Sequence, residues 1–436
     1  MPCDEGASQR LRVLLVAYSC IPGRGSEPGV GWNRAVETAR RFDTWVLCNE
    51  AESAGPIRSY LAEHGPIPGL HLAFVPKPSL ERQLARVPGL FYASYRLWHE
   101  RAYRVARRLH ALYHFDVVHQ VTFCGYREPG LTWKLDAPFI WGPIGGTQNF
   151  PTAFLLEDGL HGLLAEGPRS VLNTLQLRYS PRVRAALQRA VMVFAANSTN
   201  RADLRRAHGI DAPLLLETGL TQVAGRPRPV ETGRPLRLLW SGNLAPHKGL
   251  SLLLKALADM PSSVPFELRV YGHGACGPRW RRLARRLNLE RHVTWMGWVP
   301  HQEALAAYDW ADLFVFTSLR DTSGNALLEA LGAGVPVICL AHQGAGDIVT
   351  PACGVAIPVT TPRAVVTAIR EAIVAIASPE EATRLRAGAL ARARQYLWSR
   401  NADVMAAAYE AVAPRALTLA ATSASLVDER PVELGR

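Results

Sequence analysis

Two carboxylates eight residues apart, Asp321 and Glu329, are the side chains whose spacing first indicates chemistry. Asp321 lies in a polar loop, residues 318–324, that follows a buried-strand pattern, and a short apolar helix carrying Glu329 comes next. At the carboxyl edge of an open α/β sheet, a helix N-terminus presents unpaired N–H groups and a partial positive charge to anions. Ser323 and Gly324 are small enough to allow close approach. The two carboxylates therefore suit two hydroxylated groups that flank one phosphate.

A second loop has the same placement, between a strand pattern over residues 236–240 and a helix pattern over residues 250–260. It carries Lys248, and lysine is rare in this chain, since only four of the 49 basic residues are lysines. An ammonium group at a strand end can neutralise a phosphate. Lys248 is therefore a candidate phosphate ligand, and a solvated surface lysine is the alternative.

At these residues the chain resembles the retaining glycosyltransferases of family 4, which have the GT-B fold and carry Glu-x7-Glu where Asp321 and Glu329 stand. The resemblance implies that Glu329 holds the ribose of a sugar nucleotide and that Asp321 contacts the transferred sugar. It also implies that the backbone amides of Ser323, Gly324 and Asn325 meet the distal phosphate. Asp321 is one methylene shorter than the family's usual glutamate. The alternatives are a solvated helix-surface acid for Glu329 and loop capping for Asp321.

The resemblance also assigns Lys248 to the donor's pyrophosphate, and Asn243 stands where the family typically has an arginine as a second cation. Gly25 belongs to the string GSEPGVGW, which resembles the donor-facing loop of a bacterial branch of the family. Residues 297–299 match a segment that lines the base pocket, so Gly297 and Val299 are expected to contact the donor. A tight turn without a ligand is the alternative role for Gly25.

His119 is the third candidate for catalysis, beside Lys248 and Asp321, because it lies in a strand pattern over residues 117–121. Many relatives have His-x-His at this position, and Val121 stands where the second histidine is expected. The alternative for His119 is a buried imidazole whose hydrogen bonds are satisfied.

Strand patterns alternate with helix patterns in both halves of the chain, which predicts an α/β protein with two Rossmann-like doubly wound parallel sheets. In the resemblance these two domains face a central cleft, with the donor on the second. The predicted divisions are a disordered lead-in (1–10), an acceptor-side domain (11–217), a linker (218–234), a donor domain (235–395), a crossover helix (396–412) and a tail (413–436).

The composition is that of a large globular protein, because 436 residues with 48% hydrophobic content can build two or three domains. The seven cysteines form no CxxC pair, which argues against a disulfide framework or a zinc site and favours reducing cytosol. The apolar residues 13–17 follow an arginine, but acidic residues precede them and the run is short, so they are predicted to be the first strand rather than a signal peptide. We therefore predict a cytoplasmic protein.

The formal net charge of +12 indicates an anionic partner, although the excess of arginine also fits codon bias. Residues 82–108 carry seven arginines against one acid, with aromatic and aliphatic residues interleaved. Such a helix can lie on anionic lipid, which predicts a peripheral contact with the inner face of a membrane. The alternative is an amphipathic helix whose aromatic residues enter the core. No nucleic-acid recognition motif accompanies the charge, so nucleic acid is not an expected partner.

These observations together predict a glycosyltransferase that moves a sugar from a nucleoside-diphosphate sugar to a glycan or lipid-linked acceptor, in surface polysaccharide or glycoconjugate synthesis. Retention of configuration follows from the resemblance alone. The resemblance implies no cofactor and no metal, and no Asp-x-Asp motif lies in a fitting loop. Two alternatives stay open: a sugar-nucleotide epimerase of GT-B fold, and a catalytically silent nucleotide-sugar-binding protein. The second is motivated by the departures at Asn243, Asp321 and Val121.

Overall fold

The computed structural model contains two parallel six-stranded sheets, one in each half of the chain. It describes residues 10–413 except 86, 88, 89, 158, 227–230 and 232. The predicted lead-in except residue 10, part of the predicted linker and all of the predicted tail except residue 413 therefore lie outside the described residues. The two sheets confirm the predicted α/β class, and the exact domain boundaries stay predictions.

The first sheet has the strand order β3-β2-β1-β4-β5-β6. Its central strand forms where the sequence runs Val-Leu-Leu-Val over residues 13–16, all of them fully buried, as expected for a parallel strand covered by helices on both faces. Strands β2 and β3 lie on one side of β1, and strands β4 to β6 lie on the other. The strand order therefore reverses at β1, and a crevice opens between the carboxyl ends of β1 and β4. The strands are β1 (Arg12–Ala17), β2 (Asp43–Asn49), β3 (Leu70–Val75), β4 (Val117–Thr122), β5 (Phe139–Ile144) and β6 (Ala190–Ala195).

The second sheet repeats this topology, because its order β12-β11-β10-β7-β8-β9 is the same order read from the other edge. Its switch point lies between β7 and β10, which pair in parallel through Leu238 and Leu239. The loops that follow these two strands therefore begin side by side. The strands are β7 (Leu236–Ser241), β8 (Phe266–Tyr271), β9 (Val293–Gly297), β10 (Leu313–Phe316), β11 (Val337–Leu340) and β12 (Gly354–Ile357).

Helices cover both faces of both sheets, as alternating strand and helix patterns require. In the first half they are α1 (Ser26–Ala39), α2 (Glu50–His64), α3 (Ser79–Leu84), α4 (Phe91–Tyr113), α5 (Leu160–Tyr179), α6 (Pro181–Arg189) and α7 (Ser198–His208). In the second half they are α8 (Leu250–Ala258), α9 (Gly277–Arg286), α10 (His301–Trp310), α11 (Asn325–Gly332), α12 (Gln343–Ile348), α13 (Pro362–Ile376), α14 (Pro379–Ala393) and α15 (Trp398–Val412).

Several strand ends differ from the sequence prediction, and in β11 and β12 the difference has a physical reason. The strand predicted over residues 335–340 begins at Val337, because Pro336 accepts a hydrogen bond from Phe314 (N···O 3.0 Å) but has no N–H to donate. Strand β12 has no predicted counterpart. It is only four residues long and begins with Gly354, which leaves too little periodicity to recognise.

The last helix returns to the first domain. Trp398 and Tyr409 of α15 are buried in the same apolar cluster as β1 residues. The Arg34 side chain of α1 lies over the Trp398 ring, 5.4 Å from its centroid, and donates a hydrogen bond to Asn401. Helix α15 therefore forms part of the amino-terminal core.

Candidate active site

Lys248 is held in place by the approach of its loop to the end of β10. The neighbouring Gly249 has φ +60°, and a Cβ there would lie 2.5 Å from the Thr317 carbonyl oxygen, so a side chain at residue 249 would force the two loops apart. The Thr317 hydroxyl donates to the Lys248 carbonyl oxygen (2.8 Å) and accepts from the Trp240 ring N–H (3.0 Å). The backbone of Lys248 is thus fixed at the switch point of the second sheet.

Asp321 and Lys248 form an ion pair, as the parallel pairing of β7 with β10 allows. Asp321 Oδ1 also accepts from the Thr322 N–H (3.0 Å), and its own N–H donates to Gln343 Oε1 (2.6 Å). Burial alone would raise the pKa of Asp321, but the Lys248 ammonium and the hydrogen bond from the Thr322 N–H outweigh it, so its pKa lies below the ordinary value. Asp321 is therefore an ionised carboxylate at neutral pH.

Helix α11 begins next to this ion pair. Its cap residue, Gly324, has φ +77°, and a Cβ there would lie 2.9 Å from the Phe316 ring, so glycine suits both the backbone and the space. The N–H groups of a helix's first turn have no partner within the helix. Asn325 and Ala326, in that first turn, line the cavity together with Ser323 and Gly324. This arrangement provides donors for an anion beside the Lys248 ammonium.

Glu329 lies one turn into α11, and its carboxylate lines the same cavity. The Tyr308 hydroxyl donates to Glu329 Oε2 (3.2 Å), and His301 Nε2 lies 3.7 Å from Oε1. Burial raises the pKa of Glu329, and His301 and Tyr308 offset part of that rise. Glu329 is consequently held by two side chains rather than solvated on the helix surface.

The amino-terminal domain forms the opposite wall of the cavity. A Cβ on Gly25 would lie 3.1 Å from the His301 ring, and a Cβ on Gly145 would lie 2.5 Å from the Thr322 side chain. Thr322 is also held across the cleft by Gln148, which donates to its hydroxyl (3.0 Å), and by Asn197, which donates to its carbonyl (2.8 Å). Glycine at these positions lets the two domains meet at the polar loop, residues 318–324.

Two further acids lie in this cleft and were not among the predicted site residues. Glu27 Oε1 accepts from the Cys124 N–H (3.3 Å), and Glu217 Oε1 accepts from the Ser323 hydroxyl (2.5 Å). The other oxygen of each carboxyl is buried and has no hydrogen-bond partner among the described residues. Burial raises the pKa of Glu27 to about 7 and that of Glu217 to about 8, and the charge on Glu27 adds to the rise at Glu217.

Neither acid had a strong signal in the sequence. Glu217 stands immediately before the aperiodic linker, where nothing marks an acid as buried. Glu27 lies inside the GSEPGVGW string, and a structural cap would account for an acid in the first turn of a helix equally well.

One cavity of about 760 Å³ collects most of the predicted residues between the two domains. This volume is within the range of small-molecule sites. Nine of the predicted residues line it: Gly25, Asn243, Lys248, Val299, Asp321, Ser323, Gly324, Asn325 and Glu329. Gly297 is not among the lining residues, although its neighbours Trp298 and Val299 are.

The assignment of His119 to catalysis is corrected by the structure. His119 is fully buried and does not line the cavity. Its Nδ1 lies 2.6 Å from the Tyr409 hydroxyl and its Nε2 lies 2.6 Å from the Gly142 carbonyl oxygen. Burial, with Arg34 nearby, lowers the pKa of His119 to about 3, so the ring is neutral. His119 joins β4 to the final helix of the chain, which was the alternative for this residue.

The arrangement can bind a phosphate between hydroxylated groups. It offers one ammonium, a helix N-terminus, an ionised carboxylate and a second carboxylate, Glu329, about one helical turn (about 6 Å) from the start of α11. Among the described residues, no group of three or more His, Cys, Asp or Glu side chains is arranged to hold a metal ion. Within the same ranges, no helix is both long and apolar enough to cross a bilayer.

Residues 226–389 match the family model described as "Glycosyl transferases group 1". This segment contains Asn243, Lys248, Asp321 and Glu329. The match covers the second sheet and both of the loops that meet at its switch point, and it ends before α15.

Curated relatives match about a quarter to a third of the chain. The putative colanic acid biosynthesis glycosyltransferase WcaL of Salmonella typhimurium is 32% identical over 124 residues, which are 27% of this chain and 30% of that protein. The chain thus spans about a third of the length of the curated relatives it matches first.

Solved structures resemble the whole chain. HepE of Anabaena, solved in complex with UDP, has a TM-score of 0.60 at 16% identity, over 92% of this chain and 100% of that one. Sucrose-phosphate synthase of Thermosynechococcus elongatus has a TM-score of 0.65 at 17% identity, over 92% and 99%. Identities this low bear on the fold alone, and they confirm the predicted GT-B architecture.

Proposed function

We propose that this protein is a glycosyltransferase that moves a sugar from a nucleoside-diphosphate sugar to a glycan or lipid-linked acceptor with retention of configuration. The observation that carries the proposal is the meeting of Lys248, Asp321 and the start of α11 in one cavity between two domains. The group 1 match over residues 226–389 supports it independently. The names of relatives in colanic acid and amylovoran biosynthesis favour a role in polysaccharide synthesis.

In this proposal the diphosphate lies against Lys248 and the first turn of α11. An ammonium has three donors, so Lys248 can keep its ion pair with Asp321 and still bind a phosphate oxygen. Asn243 supplies no charge where the family has arginine, but Arg24 of the opposite domain lines the same cavity. Arg24 is the residue that we propose as the second cation.

The remaining cavity residues fit the rest of the donor. Glu329, oriented by Tyr308 and His301, accepts hydrogen bonds from the ribose hydroxyls. Trp298 and Val299 contact the base, and Asp321 contacts the sugar. As the bond between sugar C1 and the diphosphate breaks, its electron pair goes to the diphosphate. The acceptor oxygen bonds to C1, and its proton passes to an oxygen of the departing diphosphate. Lys248 and the α11 amides stabilise the departing charge, which is the electrostatic mode of catalysis.

The first test is a thermal-shift screen against UDP-, GDP- and ADP-sugars, because a ligand that binds only the folded state raises its stability. HepE was solved with UDP, which makes UDP-sugars the first donors to try. We expect one class of donor to stabilise the wild-type protein and to stabilise Lys248→Ala much less. Lys255→Ala is the matched control, since Lys255 pairs with Glu157 outside the cavity.

The second test separates transfer from the alternatives. Release of nucleoside diphosphate that depends on an acceptor supports transfer, and the anomeric configuration of the product, read by NMR, tests retention. A donor that is bound but never consumed across a broad acceptor panel would identify a binding protein. Conversion of one sugar nucleotide into its epimer without an acceptor would identify an epimerase.

A further inference from the structure

Helix α5 carries its apolar side chains on the outside. Large apolar residues that are 49% to 72% exposed recur along its whole length: Leu160, Leu164, Val171, Leu172, Leu175 and Tyr179. At 100° per residue they fall within an arc of about 120° on one face of the helix. A helix at the surface of a water-soluble protein normally turns its polar residues to solvent and its apolar residues to the core. No described residue covers this face.

The inward face of α5 places Leu177 in the apolar core, and its buried polar side chains fix the helix to the rest of the protein. Asn173 donates to the Thr147 carbonyl (2.6 Å), and its carbonyl accepts from the Tyr126 hydroxyl (2.7 Å). Glu166 is buried and accepts two hydrogen bonds from Arg320, both at 3.0 Å. These contacts explain which face turns outward, because the buried polar groups require partners that only the protein interior offers.

Glu166 also links α5 to both loops of the candidate active site. Arg320 precedes Asp321, and His247, whose Nδ1 lies 3.6 Å from Glu166, precedes Lys248. Although burial works against ionisation, the His247 and Arg320 partners lower the pKa of Glu166 to about 2. The outward apolar face of α5 therefore has a fixed position relative to the cleft.

Exposed arginines lie at both ends of α5. At its start, a Cβ on Gly159 would lie 2.9 Å from the Arg279 guanidinium, so α9 of the second domain packs there. The exposed arginines are Arg279, Arg282 and Arg286 near the start, and Arg178 and Arg184 near the end. An apolar helix face between basic ends fits an anionic lipid surface, where arginine meets headgroups and leucine meets acyl chains.

We propose that the outward face of α5, defined by Leu160, Leu164, Val171, Leu172, Leu175 and Tyr179, lies in the interface of an anionic bilayer. The occupant is a membrane rather than a second copy of the chain, because this face has arginines at both ends, so a symmetric dimer through it would bring arginines of one copy against arginines of the other. This proposal does not depend on the proposed function, since membrane contact requires no donor.

This position differs from the membrane contact predicted over residues 82–108. In that segment Tyr95 and Trp98 are buried in the core, and Arg101 pairs with Glu81. Helix α4 thus uses much of its aromatic surface inside the protein, as the alternative prediction held. The apolar surface that remains open is larger on α5.

The test is sedimentation of the full chain with vesicles of phosphatidylglycerol and phosphatidylethanolamine, compared with vesicles of phosphatidylcholine alone. We expect binding to the anionic vesicles only, and a loss of about tenfold or more in the double variant Leu164→Glu/Leu172→Glu, which places two charges in the apolar face. The matched control is Leu112→Glu on α4, because Leu112 is equally exposed. It should bind as the wild type does. Circular dichroism checks that all three proteins are folded.

Three results would overturn the proposal. One is equal binding to both kinds of vesicle, and another is a loss caused by Leu112→Glu but not by the α5 variant. The third is a wild-type dimer, seen by size-exclusion chromatography, that the α5 variant dissociates without any change in vesicle binding. Each of these outcomes leaves the donor-binding test of the proposed function unaffected.

Discussion

Replacing Glu217 with glutamine should change how the stability of this protein depends on pH. Glu217 is 8% exposed, its Oε1 accepts from Ser323, and burial raises its pKa to about 8 from an ordinary value of 4.5. Between these two values the unfolded chain has lost its proton while the folded protein keeps it. Stability therefore falls as pH rises from about 5 to about 8, by about 1.4 kcal/mol per pH unit from this group alone.

Over three pH units the contribution amounts to about 4 kcal/mol. Glutamine keeps the oxygen that accepts from Ser323 but cannot ionise. The variant Glu217→Gln should therefore gain stability relative to the wild type as pH rises, and the gain should level off above pH 8. Glu27 contributes a similar slope to both proteins and cancels in the comparison.

The assay is urea unfolding of both proteins at pH 5, 6, 7 and 8, with the difference in free energy of unfolding plotted against pH. Glu63→Gln is the control, because the Glu63 side chain is 78% exposed and its replacement should leave the difference flat. A difference between Glu217→Gln and the wild type that does not change with pH would show that Glu217 is ionised in the folded protein. The account of the buried acids given above would then be wrong.

Three further changes test the cleft. Lys248→Ala should weaken donor binding in calorimetry by about 10- to 100-fold, since a charge-assisted hydrogen bond contributes about 1.5–3 kcal/mol; unchanged affinity would remove Lys248 from the phosphate site. Glu329→Ala should weaken donor binding by a similar factor. A dideoxy nucleoside diphosphate, which has no ribose hydroxyls, should bind the wild type and Glu329→Ala equally. Gly145→Ala should lower turnover about tenfold or more, because its Cβ would lie 2.5 Å from the Thr322 methyl group. Thr322→Ser removes that methyl group, so it should restore activity in the double variant. If the double variant is no more active than Gly145→Ala, the loss of turnover does not come from this contact.

The loops of the second domain could be predicted from the sequence because the strands before them are strongly apolar and because glycines mark the turns. The strand patterns before Lys248 and Asp321 identified β7 and β10 to within two residues, and two neighbouring parallel strands bring their following loops together by geometry. Lys248 and Asp321 could thus be expected at one edge before their ion pair was seen.

The same reasoning failed for residues whose role depends on long-range packing. His119 lies within strand β4, yet α15, 290 residues later in the chain, supplies the hydroxyl that satisfies it. Glu217 stands immediately before an aperiodic segment, so only the approach of Ser323 reveals it. Local pattern determines which face a strand or helix buries, but not which distant element covers it.

The position of α15 has a consequence for biosynthesis. Met405 and Tyr409 belong to the same buried cluster as Val13 and Leu15 of the first strand. During translation the amino-terminal domain leaves the ribosome first, but its hydrophobic core is completed only when α15 has been made, after all strands of the second sheet. The first domain to be synthesised is therefore completed later than the second sheet, and a chain that stops within the second domain would have an amino-terminal half with an open apolar face.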